Sequence, residues 1–140
     1  DPARRSALRI AARGPPLGTA NRWLSPIAEG RQWLAVHTPH IGGGLHQYSR
    51  EGERLVPRAL MDGVSNHRIG SRILDQSTWQ GGKLWLPRQS GREVRVLDLQ
   101  REPRVLAELE LPGRVEAMVT VQPSGSVVAL LEGGTVLAAA

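Results

Sequence analysis

The feature that most constrains this chain is a turn-and-strand unit that recurs three times. It reads Gly30-Arg31-Gln32-Trp33-Leu34-Ala35-Val36, then Gly82-Lys83-Leu84-Trp85-Leu86-Pro87, then Gly125-Ser126-Val127-Val128-Ala129-Leu130. Each unit is followed by a second turn and strand: Ile41 to Tyr48, Gly91 to Leu99, and Gly133 to Leu137. Short strands repeating every 40 to 50 residues or so are the mark of propeller blades. A closed propeller needs about four blades or more, and a chain of this length holds roughly three. The expectation is therefore an all-β fold of antiparallel β-propeller blades, about three of them, forming part of a larger propeller. The blades are expected over residues 21–66, 67–114 and, lacking its last strand, 115–140. Residues 1–20 are expected to hold the end of a preceding blade and a linker.

Strand periodicity supports this division. Arg5 to Ala12 alternates polar and apolar residues, as a half-buried strand does, until Gly14-Pro15-Pro16 breaks it. Trp23 to Ala28 reads as a short inner strand made irregular by Pro26. Val105, Ala107, Leu109 and Leu111 alternate with Leu106, Glu108 and Glu110, which predicts one buried and one solvated face. The chain has no heptad repeat, no long amphipathic helix and no low-complexity run.

Composition narrows the chemistry. With 16 Gly and 10 Pro scattered between short apolar runs, an all-β fold is favoured over helices or disorder. Phe and Cys are absent, so the core rests on aliphatic residues and four Trp, and thiol chemistry and disulfides are excluded. The chain carries neither an initiator Met nor a secretory signal pattern, and is expected to be a processed or partial chain. No stretch is long and apolar enough to span a membrane. The formal net charge is +5, and Lys83 is the only lysine. The arginines are scattered among Glu and Asp rather than clustered in a stripe, so nucleic acid is not the expected partner.

Val64-Ser65-Asn66-His67-Arg68-Ile69-Gly70-Ser71-Arg72 is the most distinctive segment, a polar stretch between two blades. It resembles the stretch that precedes an inner strand in bacterial proteins with FG-GAP or VCBS-type propeller repeats, and Leu86-Pro87 resembles the end of the strand that follows. The Arg-rich start, Arg4 to Ile10, looks like the strand that comes after such a Leu-Pro. The resemblance implies a propeller fold and a periplasmic or extracellular setting. It also implies calcium loops of the Asp-x-Asp-x-Asp-Gly type. Here the sequence departs from the family: Leu74 to Gly82 keeps only Asp75, and the other two loops offer one carboxylate or none. Calcium takes about six to eight oxygens, so no metal and no cofactor is expected.

Other chemistry-bearing residues have plain readings. His37, His40 and His46 could form a transition-metal cluster, but Pro39 makes their segment a turn and no carboxylate accompanies them; bonding to backbone is the favoured reading. The Gly42-Gly43-Gly44 and Gly133-Gly134 runs lack the Lys-Ser/Thr of a phosphate loop and read as hairpin turns. No serine sits in a nucleophile elbow, and no carboxylate pair stands out.

Three functions stay open. The first is a non-catalytic scaffold or protein-interaction subunit, completed by another chain or by further blades, with Trp33, Trp85 and Val128 as blade-interface contacts. The reason is that a partial propeller leaves blade faces uncovered. The second is part of a propeller enzyme or lectin with a site in the central channel, for which Asn66, His67, Arg68 and Arg72 are the candidates. The third is anion or nucleic-acid binding through the arginines.

Overall fold

The computed structural model describes residues 8–20, 22 and 24–139. Three antiparallel sheets account for the strands. The first holds β1 (Leu24–Glu29), β2 (Gln32–His37), β3 (Gly44–Glu51) and β4 (Arg54–Asp62). The second holds β5 (Thr78–Gln80), β6 (Lys83–Pro87), β7 (Glu93–Asp98) and β8 (Arg104–Glu110). The third holds β9 (Val115–Val121), β10 (Ser126–Leu131) and β11 (Val136–Ala139). In each sheet, strands adjacent in sequence are adjacent in space, and the described residues contain no helix. Among the described residues, no helix is therefore long and apolar enough to cross a membrane.

Period-two patterning turns these meanders into layers. Leu34, Val36 and Leu45 of the first sheet meet Leu84, Leu86 and Leu97 of the second, with Ile27, Val64 and Leu99, in one buried cluster. On the other face of the second sheet, Val94 and Trp85 meet Val115, Met118, Val127, Ala129 and Leu131 in another. The second sheet is thus a middle layer covered on both sides. Each fully buried Leu stabilises this stack by roughly 1.5–3 kcal/mol relative to exposure.

Hydrogen bonds stitch the layers. Ser65 N donates to Pro87 O, and Gln89 N to Gly63 O, between the first and second sheets. Between the second and third, Met118 N donates to Asp75 O, and the Thr120 hydroxyl donates to Trp79 O while accepting from the Thr78 hydroxyl. One glycine is required by a close approach: a Cβ on Gly43 would lie 1.6 Å from the Val64 carbonyl oxygen, and its φ of +38° suits no other residue well.

Several expectations need correction. Residues Arg5 to Ala7 of the expected first strand lie outside the described residues, as does Trp23, and 8–12 form no strand. Instead Arg13 alone bridges the outer edge of β4, exchanging bonds with Glu53 O and Leu55 N. Pro15 and Pro16 have no N–H with which to carry the pairing further. Pro26 does not disturb β1, whose register with β2 is continuous from Leu24 to Glu29; β1 is an edge strand, where a residue without N–H is tolerated. The Asp75 stretch is not a loop between strands, because Thr78–Gln80 within it is β5. Val105 is 47% exposed, beside an irregularity in the β7–β8 register at Val96/Leu97 that interrupts the expected alternation.

Trp33 and Trp85 do not occupy matching positions. The turn into β2 is Gly30-Arg31 and the turn into β6 is Gly81-Gly82, so Gly30 corresponds to Gly81, and Trp33 corresponds to Leu84. A slip of one residue reverses every side chain. The true equivalents of Trp85 are Leu34 and Val128, each third in its strand.

Candidate functional site

Strand direction decides which loops meet. In a meander of alternating strands, the β2–β3 and β6–β7 loops emerge at the same end as the connections that leave β4 and β8. This end gathers residues 38–43, 63–77, 88–92 and 111–114, and a pocket of about 150 Å³ lies among them. Its wall includes His40, Ser65, His67, Arg68, Gln76, Arg88, Gln89 and Arg114, and none of it comes from β1 or β5.

The β4–β5 connection supplies the floor. His67 is buried, and its Nε2 lies 3.0 Å from the Ser71 carbonyl oxygen. A carbonyl only accepts, so Nε2 carries the proton. In the neutral ring Nδ1 then accepts, and His40 Nε2, at 2.7 Å, donates to it. The Ser65 hydroxyl donates to His67 O and so fixes the backbone beneath the ring. Burial, and then the neighbouring His67, hold the His40 imidazole below its ordinary range. Gln89 Nε2 donates to Pro39 O at 2.7 Å and ties the β2–β3 loop to the β6–β7 loop.

The charged members come from three different segments. Arg68 pairs with Glu132 at 3.2 Å and Arg88 with Glu93 at 3.0 Å, both at exposed positions. Arg114 has no ion pair among the described residues, and its side chain lies across Gly91, 2.7 Å from where a Cβ there would stand. No carboxylate belongs to the pocket wall.

Of the four residues singled out in sequence, His67 and Arg68 reach this pocket. Asn66 is 1% exposed, lies outside the pocket wall, and its buried Oδ1 has no hydrogen-bond partner. Arg72 is exposed and also lies outside it. Sequence reasoning missed His40, Arg88, Gln89 and Arg114 as members. The available signal was topological: the connections between sheets and every second hairpin loop share one end.

The remaining histidines sit on the outer face of the first sheet. The His37 and His46 rings stack at 3.7 Å between centroids and 10° between planes. His37 Nε2 meets the Tyr48 hydroxyl at 2.7 Å, and His46 Nδ1 donates to Gly44 O at 3.0 Å. Parallel stacked rings point their nitrogens past one another, not toward a shared ion. Among the described residues, no group of three or more His, Asp or Glu is placed to hold a metal ion.

The interface residues divide by layer. Trp85 is partly buried and packs against the second core. Trp33 is 41% exposed on the outer face of the first sheet, opposite to Leu34 and Val36. Val128 lies on the outer face of the third sheet, opposite to the buried Val127 and Ala129. No protein-family model, curated protein or solved structure matches the chain.

Proposed function

We propose that this chain is a non-catalytic, β-propeller-type scaffold or protein-interaction segment, in which each sheet is a blade and the stack is completed by further sheets of the same make. The observation that carries this reading is the bare outer face of the third sheet. Val119, Val121 and Val136 are 50%, 42% and 61% exposed, and by register they share that face with Val128 and Leu130. A contiguous exposed patch of aliphatic β-branched side chains is the usual sign of a covered surface in the working assembly.

The occupant is argued from the stack itself. Trp85 of the second sheet, equivalent in position to Val128, is covered by a neighbouring sheet. A flat pleated face with the same pattern fits a neighbour of the same kind. The two outer faces point in opposite directions along the stack, so one added sheet covers one face only. In a preparation of this chain alone, the available sheet belongs to a second copy joined through its own third-sheet face. The resemblance to FG-GAP and VCBS-type repeats, with the periplasmic or extracellular setting it implies, belongs to the same proposal and rests on sequence wording.

The native mass of the purified chain tests it. Two or more chains per particle, reduced to one by Val128→Asp, is the expected result. A stably folded, monodisperse single chain refutes the reading.

A further inference from the structure

The pocket at the loop end is independent of whatever covers the outer faces, because all of its wall belongs to this chain. Its charged lining is one-sided. Three arginines, Arg68, Arg88 and Arg114, line it from three segments, and no carboxylate does. Glu132 and Glu93 each engage one nitrogen of Arg68 and Arg88. A guanidinium has five N–H donors in a planar fork, so a single ion pair leaves donors on both. Arg114 makes no ion pair among the described residues, and its stem is held against Gly91.

The wall is also tied down. His67 is fixed on both ring nitrogens, by Ser71 O and by His40. The Gln89 bond to Pro39 O joins two of the loops across the pocket. Donors already in place cost less entropy to bring to a ligand than donors on free loops. Bidentate forks match tetrahedral oxyanions and carboxylates best, and three of them around one small pocket fit a group with three or more oxygens better than a carboxylate with two.

We propose that this pocket binds a phosphate-type oxyanion, either free or as the phosphate group of a larger molecule, with Arg114 as its principal contact and Arg68 and Arg88 sharing its charge. Its position, where the connection leaving β4 meets the β6–β7 loop, means that binding also clamps the first two sheets together.

The test is calorimetric titration of the folded chain with inorganic phosphate at constant ionic strength, which keeps general screening unchanged. The expected result is saturable binding of one phosphate per chain. Arg114→Gln, which keeps most of the stem over Gly91, should weaken it about tenfold or more, the loss expected for one charge-assisted hydrogen bond. Arg58→Gln, on β4 and outside the pocket wall, should leave it unchanged. If Arg114→Gln does not fold, the exposed Arg68→Gln gives the same reading. A phosphate monoester that competes with inorganic phosphate for the same site identifies the group on a larger molecule as the ligand; a monoester that does not compete restricts the site to the free ion. The absence of saturable phosphate binding overturns the proposal. So does a pocket variant that binds as tightly as the parent, or an Arg58→Gln loss equal to that of Arg114→Gln.

Discussion

The two outer faces of the stack differ in what they carry and in what lies over them. The face of the first sheet is aromatic and polar: Trp33, Tyr48 and the stacked His37 and His46. Residues 10–15 run beside it, with Arg13 bridging β4 and a Cβ on Gly14 falling 3.4 Å from the Tyr48 ring. The face of the third sheet is aliphatic, and no described segment crosses it. The first face meets its own chain and satisfies part of its polar groups internally. The third leaves Val119, Val121 and Val136 open to water. On the proposed reading the association surface centres on Val119, Val128 and Val136, and Trp33 is the lesser anchor.

Substitutions that contrast inner and outer layers should break or sharpen that picture. The largest loss is expected inside the stack. Leu86 is fully buried between the first two sheets, and Leu86→Ala should cost about 2–5 kcal/mol in urea unfolding. A cost under about 1 kcal/mol would mean that the layers do not pack as described. Val128→Asp should act differently: it should abolish association while the separated chain keeps its strand circular dichroism. If it unfolds the chain as thoroughly as Leu86→Ala, the third face is not a surface at all. Trp33→Ala comes next, at about 1–2 kcal/mol, because a side chain 41% exposed forfeits only part of its transfer energy. It should leave the native mass unchanged; a shift to single chains would make the two faces equal partners.

The smallest effect is a pH slope. Burial, reinforced by His46, pushes the His37 imidazole below its ordinary 6.5, and burial with His67 does the same for His40. The folded state then binds fewer protons than the unfolded chain, so stability is full above 6.5 and falls as pH drops beneath it. Asp98 and Glu108 are lowered too, Asp98 chiefly by the backbone N–H of Gln100 and Glu108 by its hydrogen bond with Arg95. Their contribution is present above the ordinary carboxylate range and is lost only at lower pH, so the two windows separate. Melting temperature should fall modestly between neutral pH and roughly pH 5.5, and His37→Gln should flatten part of that slope. A melting temperature that is level across this interval would contradict the lowering of these two imidazoles.

The sequence was legible where local chemistry decides structure. Positive-φ glycines at 30, 52, 81, 82, 133 and 134 sit at the hairpins, and the aliphatic runs between them are the strands. Register was less legible. Gly30-Arg31 and Gly81-Gly82 are both turns of two residues, but the doubled glycine makes Gly82 look like the partner of Gly30, and this one-residue error set Trp33, rather than Leu34, in line with Trp85. The N-terminal alternation failed for a different reason: Leu8 and Ile10 alternate but are exposed, and no strand forms over residues 8–12. The pocket was half legible. His67 and Arg68 announce themselves in one polar segment, but His40 lies 27 residues away and Gln89 lies 50 from its partner Pro39, and only the fold brings them together.

On the proposed reading, the uncovered third face is completed by another sheet. Light scattering coupled to size exclusion on the purified chain, run beside Val128→Asp, tests it most directly. The expected result is a particle of two or more chains that the substitution reduces to one. A parent chain that is already a single, well-folded particle, with the same mass and melting temperature as Val128→Asp, would contradict it.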